Sequence, residues 1–215
     1  MVRSIIAALL LLVSTAQAET FRDLVIEHER DVTVTVLTDK GCGTGFIVRM
    51  DCEVYVVTAQ HVVDDITKVQ VVDIPFRAED QAWGKLFDAQ VIKGDETYDM
   101  ALLKLNPGTA AHFTEGVQFR DKPLRVGDRV HHIGAVRGID RAESFSSGEV
   151  AFTGRPHPFH KKTKLDQVTC TIYPGSSGGP VFDEYGRVAG IALLSAGPQL
   201  GLMHSSELIR DFLTR

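Results

Sequence analysis

Between Asp31 and Leu194 the chain is cut into short apolar or alternating runs, each closed by a turn signal. Asp31-Val32-Thr33-Val34-Thr35-Val36 places a β-branched residue at nearly every step and alternates, the pattern of a strand with one buried face. Phe46 to Val48, Val54 to Val57, Val69 to Val72, Lys85 to Lys93 and Met100 to Leu105 repeat the theme, with turns at Met50 to Glu53 and Asn106-Pro107-Gly108. After a connector over roughly 109–123 the pattern resumes at Arg129 to Gly134, Ser147 to Phe152, Gln167 to Ile172, Val181-Phe182 and Val188 to Leu194. Only Ser205 to Leu213 reads as a helix, capped by Ser205 or Ser206, with Leu208, Ile209, Phe212 and Leu213 on one face. Glu19 to Arg30 fits either a short helix or an extended arm. Short strands recurring about every 8–12 residues with one terminal helix predict an all-β barrel or sandwich. The connector divides it into halves of similar size.

The first residues read as a leader outside that pattern. Arg3 supplies a positive start, Ile5 to Val13 is unbroken apolar sequence, and Ala16-Gln17-Ala18 is a small-x-small cleavage signal. The apolar run falls short of the about 20 residues that span a bilayer, so an uncleaved anchor is the lesser reading. The expected division is a signal peptide over 1–18 and one domain over 19–215, its halves about 31–108 and 124–204, with the terminal helix at about 205–214. Export implies an oxidising compartment. Three cysteines, Cys42, Cys52 and Cys170, leave at least one unpaired, and no pairing follows from their spacing. A net charge of −5 without a long basic run speaks against a nucleic-acid partner.

Tyr173-Pro174-Gly175-Ser176-Ser177-Gly178-Gly179-Pro180 interrupts the strands with more glycine than a turn requires. Glycine permits positive φ and close approach of another molecule. An oxyanion hole needs both, because its N–H groups converge on one spot beside a nucleophile. A plain Gly-rich hairpin loop is the alternative. Serine is a poor nucleophile until a base takes its proton. His61 follows the strand Val54 to Thr58 at a corner, and Asp99 stands directly before the apolar strand Met100 to Leu105. A carboxylate there needs a partner, and an imidazole N–H supplies one. The chain order His61, Asp99, Ser177 is one of the orders in which a Ser-His-Asp triad occurs.

Thr58-Ala59-Gln60-His61-Val62-Val63, Tyr98-Asp99-Met100-Ala101-Leu102-Leu103-Lys104-Leu105 and Gly175-Ser176-Ser177-Gly178-Gly179-Pro180 resemble the three signatures of trypsin-like serine proteases. Gly43-Thr44-Gly45-Phe46-Ile47-Val48, Val126-Gly127-Asp128 with Ile133-Gly134, Ser147-Gly148-Glu149-Val150 and Gly186-Arg187-Val188-Ala189-Gly190-Ile191 resemble the bacterial periplasmic Do/HtrA-type branch. The resemblance runs from about Val32 to the terminal helix. It implies two packed six-stranded antiparallel β-barrels, chymotrypsin-like, with the active site between them. It implies Ser177 as nucleophile, His61 as base and then acid, Asp99 as the group orienting His61, and the N–H groups of Gly175 and Ser177 as the oxyanion hole. Ser176 stands where zymogen-activated relatives carry Asp, so activation by a new N-terminus is not expected. Val62 follows His61 where the animal digestive relatives carry a half-cystine. With the terminal helix soon after the second barrel, the PDZ domain typical of the branch is not expected.

By the same resemblance the substrate pocket is lined by Thr171 and Ile172 at its base and by Leu193, Leu194 and Ser195 along its wall. No Asp lies at the base, and Ala192 stands where glutamyl-specific relatives have His. An apolar pocket for small or medium aliphatic side chains is expected, with loose selectivity. The substrate, a peptide or unfolded protein, adds as a strand beside Leu193 to Ser195. No cofactor and no metal is expected. His131 and His132 point to opposite faces of a strand, and His157 and His160 read as a solvated loop. Trp83 reads as packing. The function expected is an exported serine endopeptidase, periplasmic or secreted. A catalytically silent protease-fold binding or chaperone-like module is the alternative, and an esterase on the same chemistry has no specific feature in its favour.

Overall fold

The structure is a computed structural model that describes residues 22–73, 84–136, 144–158 and 163–215. A helix α1 (22–31) opens it. It resolves the choice between helix and arm for the stretch before the first strand.

Six strands then close into a barrel: β1 (Thr33–Thr38), β2 (Gly41–Met50), β3 (Glu53–Thr58), β4 (Lys68–Asp73), β5 (Lys85–Asp95) and β6 (Met100–Leu105). Their order is β1-β2-β3-β6-β5-β4, and β1 pairing with β4 closes the ring. The β2–β3 hairpin turns on Asp51 and Cys52, both at positive φ (49° and 64°). Two left-handed residues form the tight turn whose twist matches that of antiparallel strands. Cys42 and Cys52 lie near opposite ends of β2, and all three cysteines are free thiols.

The second barrel is built from β8 (Arg129–Gly134), β9 (Ser144–Pro156), β10 (Lys164–Val168), β11 (Pro180–Asp183), β12 (Arg187–Ser195) and β13 (Gly201–Ser205). The order β11-β8-β9-β10-β13-β12 closes through β11–β12. The two-residue β7 (Gln118–Phe119), from the connector, adds in parallel to β12. The expected pair of six-stranded antiparallel barrels is the observed fold. Two details differ from the sequence reading. β10 ends at Val168: Thr169 still gives its N–H to the Glu149 carbonyl (2.9 Å) but takes the Glu149 N–H on its hydroxyl (2.8 Å) in place of its carbonyl, and Cys170 and Ile172 are buried beyond it. β13 carries no strand signal of its own: it opens on Gly201, holds the buried His204, and runs straight into α2 (Ser206–Thr214).

The alternation along each strand divides side chains between two apolar clusters. On β8 Val130 faces the interior of the second barrel, while Ile133 joins a larger cluster. That cluster fills the first barrel and continues through Phe182, Val188, Ile191 and Leu193 of the second. Ile209 and Phe212 of α2 belong to it too, and Lys93 on β5 places its ammonium 4.6 Å from the Phe212 ring centre. The wholly buried Asp183 ends β11. Its carboxylate accepts from Arg187 (2.7 Å), from Arg120 (3.3 Å) and from two backbone N–H groups of the following turn. A buried charge is tolerable only when paired and hydrogen-bonded in this way. α1 reaches the second barrel through Glu29, whose buried carboxylate meets the His131 ring at 2.7 Å. Burial pushes the Glu29 pKa up, against the pull of His131. Among the described residues no helix is long and apolar enough to cross a membrane.

Candidate active site

The cleft between the barrels brings together His61 and Ser177. Both line a cavity of about 460 Å³ that also takes in Cys42, Val62, Ile172, Gly175, Leu193, Leu194 and Ser195. His61 sits in a single 3-10 turn (Gln60–Val62) that follows β3 after one residue. Asp99 occupies the last position of the turn before β6, at φ 49°. An aspartate tolerates this left-handed conformation better than most residues. The turn is drawn tight by Asp95, whose Oδ1 accepts the N–H groups of Thr97 (2.9 Å) and Tyr98 (3.1 Å).

Both carboxylate oxygens of Asp99 are spent on one residue. Oδ1 accepts the His61 backbone N–H at 2.9 Å, and Oδ2 meets His61 Nδ1 at 2.6 Å. With the carboxylate as acceptor, Nδ1 carries the proton and the imidazole presents Nε2 as a base. The Asp99 side chain is 15% exposed and that of His61 45%, so the anion is shielded while the ring opens to the cleft.

The loop of Ser177 belongs to the second barrel and is held amide by amide. Tyr173-Pro174-Gly175-Ser176 is a β-turn closed by the Ser176 N–H donating to the Tyr173 carbonyl (2.8 Å), with Gly175 at φ 96°. Proline at the second position and positive φ at the third define a type II turn, which favours glycine there. The Gly178 N–H donates to the Ala192 carbonyl (2.7 Å), and the Gly179 N–H to the Ser176 carbonyl (3.0 Å). The N–H groups of Gly175 and Ser177 have no acceptor among the described residues. Ser176 is wholly buried and accepts the Tyr173 N–H on its hydroxyl (3.3 Å), so it turns away from the cleft. The Ser177 hydroxyl donates to the Leu193 carbonyl at 3.0 Å. The nucleophile candidate therefore rests on the neighbouring strand.

Ile172, Leu193, Leu194 and Ser195 line the cleft, with Ile172 packed from behind by Gly201. Thr171 does not line it: its N–H donates to the Ser146 hydroxyl (2.7 Å). On the opposite rim Lys40 bonds the Asp64 carbonyl (3.1 Å). His131 and His132 diverge, the first to Glu29 and the second, wholly buried, to the Pro180 carbonyl (2.9 Å). Burial lowers the His132 pKa to about 4, so its ring is neutral at pH 7. His157 is buried, whereas His160 and Trp83 lie outside the described residues. Sequence reading missed the support beneath the loop, Thr44 and His132. Thr44 lies inside the Gly-Thr-Gly run that resembles the protease branch, the one available hint of its importance.

Two closed antiparallel barrels with this cleft between them define the chymotrypsin-like fold. A serine endoprotease from Yersinia pestis superposes over 90% of this chain and 65% of its own, with a TM-score of 0.73 at 21% identity. The Rv3671c protease of M. tuberculosis, in an inactive form, superposes over 88% of this chain and 91% of its own, with a TM-score of 0.71 at 22% identity. The family model of the trypsin-like peptidase domain matches residues 43–191, and the chain belongs to that family. A probable periplasmic serine endoprotease, DegP-like, of Ectopseudomonas mendocina is 34% identical over 149 residues, which are 69% of this chain and 28% of that protein. A protein of the same description from Brucella suis is 33% identical over 174 residues, 81% of this chain and 30% of the relative. The chain thus spans less than a third of the length of these relatives.

Proposed function

We propose that this chain is an exported serine endopeptidase working through His61, Asp99 and Ser177. The observation that carries the reading is the double hold of Asp99 on His61, in a cleft shared with Ser177 and beside two amides with no acceptor among the described residues. In the first step Ser177 Oγ leaves the Leu193 carbonyl and attacks the scissile carbonyl carbon, giving its proton to His61 Nε2. The carbonyl π electrons move to oxygen, where the Gly175 and Ser177 N–H groups receive the charge; losing one such donor typically costs about 3–4 kcal/mol. Asp99 stabilises the imidazolium without itself being protonated. Collapse breaks the C–N bond, His61 returns the proton to the leaving amine, and Ser177 is left as an acyl ester. Water then attacks that ester with His61 again as base, releasing the acid and restoring the serine.

The half-buried Leu194, backed by the buried Ile172 and Leu193, supports cleavage after small or medium aliphatic residues, in peptides or unfolded proteins. The leader over 1–18, with cleavage after Ala18, supports export, and the names of the relatives favour the periplasm over full secretion. A fluorophosphonate probe on the protein lacking its leader tests the chemistry. Ser177 is expected to be labelled, and Ser177→Ala and His61→Ala to lose the label. Folded protein that never labels would instead support a silent binding module. A peptide-library profile tests the pocket: aliphatic residues are expected before the cut, and dominant cleavage after Arg, Lys or Glu would overturn the pocket reading.

A further inference from the structure

His61 and Asp99 stand on the first barrel and Ser177 on the second, so a contact across the cleft has to set their register. Thr44, on β2 and 1% exposed, makes that contact with its hydroxyl and its backbone N–H, while its carbonyl is held within the first barrel. Its hydroxyl donates to the Gly175 carbonyl (2.6 Å) and accepts the Ala135 N–H (2.9 Å). Its own N–H donates to the Ser177 carbonyl (2.9 Å), and its carbonyl accepts the Thr58 hydroxyl (2.7 Å). A hydroxyl has a single proton, so donating to Gly175 and accepting from Ala135 leaves it one orientation.

The two bonds that reach the Ser177 loop fall on alternate peptide groups. The 175–176 peptide is held at the Gly175 oxygen by the Thr44 hydroxyl, and the 177–178 peptide at the Ser177 oxygen by the Thr44 N–H. Between them the Ser176 oxygen accepts the Gly179 N–H. A peptide group is planar and trans, so its N–H points opposite its C=O. Fixing these three carbonyls fixes where the Ser177 N–H points and where the Ser177 Cα sits against the first barrel.

We infer that Thr44 is a positioning residue for the proposed hydrolysis: its hydroxyl, clasped between Gly175 and Ala135, holds the 175–176 peptide group, and with it Ser177 and its N–H, at working geometry relative to His61. The inference rests on the endopeptidase reading. A threonine that merely satisfied its own hydroxyl would add stability and leave the chemical step alone. A positioning residue acts on the transition state, where a misplacement of about 1 Å can cost on the order of 100-fold.

The test compares Thr44→Val, which keeps the shape without the hydroxyl, with Thr44→Ser, which keeps the hydroxyl. Hydrolysis of a peptide substrate gives kcat and KM, a fluorophosphonate gives the labelling rate, and circular dichroism reports folding. Thr44→Val is expected to lower kcat and the labelling rate by about 10–100-fold, with KM within about threefold. Thr44→Ser is expected to stay within about threefold of the parent in all three. A folded Thr44→Val with parental kcat overturns the inference, as does a folded Thr44→Ser that falls as far as Thr44→Val. So does a Thr44→Val that cannot fold beside a fully active Thr44→Ser, because the hydroxyl then serves stability. A parent protein that neither cleaves nor labels removes the endopeptidase reading itself, whereas an active parent with an equally active Thr44→Val removes only the role of Thr44.

Discussion

Two histidines flank the Ser177 loop, and their surroundings differ sharply. His61 is open to the cleft and oriented by a carboxylate, which suits a group that gains and loses a proton. His132 lies wholly buried under the same loop, one nitrogen on the Pro180 carbonyl and its ring edge against Gly134 and Gly179. The other nitrogen has no partner among the described residues. Charging this ring buries an imidazolium with one acceptor, and burial accordingly lowers its pKa from 6.5 to about 4. The unfolded chain therefore takes up the proton first. The stability due to the neutral ring is complete above pH 6.5 and is lost as the pH falls towards 4. The loss amounts to about 3 kcal/mol. His132→Phe is expected to remove about that much from the difference in urea unfolding free energy between pH 7 and pH 4. An unchanged difference would show that His132 does not titrate on unfolding.

At the scale of elements, the loop and the terminal helix differ in what the sequence discloses. Tyr173 to Pro180 advertises its turn, because Pro-Gly in the middle of a type II turn is a local preference. α2 advertises itself as an amphipathic helix, but its partner is not visible in its own residues. That partner is both barrels: the helix packs on β12 and β13 of the second and reaches the first, where Phe212 is buried under Lys93 of β5 and Arg215 lies 5.0 Å from the ring of Tyr98, the neighbour of Asp99. The helix thus closes over the hairpin that delivers the carboxylate. Removing the ring in Phe212→Ala is expected to cost about 3–5 kcal/mol, read as a lower urea midpoint at unchanged m-value. A cost below about 1 kcal/mol would mean that the helix is not docked as described.

For the whole molecule the decisive feature is that one apolar cluster serves both barrels. Phe182 and Ile133 of the second barrel pack with Phe46, Ile47 and Leu103 of the first, so neither barrel buries its surface alone. The protein is expected to unfold in a single calorimetric transition, and Phe182→Ala to lower that transition as a whole. Two separated transitions in the parent protein would show that the barrels are stable independently. The coupling matters for function because the candidate site is assembled from both halves. Any loosening of the shared cluster moves Ser177 relative to His61.

Strand positions, the chain order of His61, Asp99 and Ser177, and the glycine-rich turn were legible because each rests on local rules. Alternation with period two places a strand, and proline and glycine place a turn, within a few residues. β13 escaped because a short run through Gly201 and His204 has no such pattern. Thr44 and Gly175 are 131 residues apart, and Glu29 and His131 102. No periodicity links residues at that separation. Those partnerships exist only once two barrels close and pack, because closure fixes which strand ends meet across the cleft. The Ser177 hydroxyl resting on Leu193 likewise depends on β12 passing beside the loop. Residue types and their order are properties of the chain, whereas the register between His61 and Ser177 is a property of the packed pair of barrels.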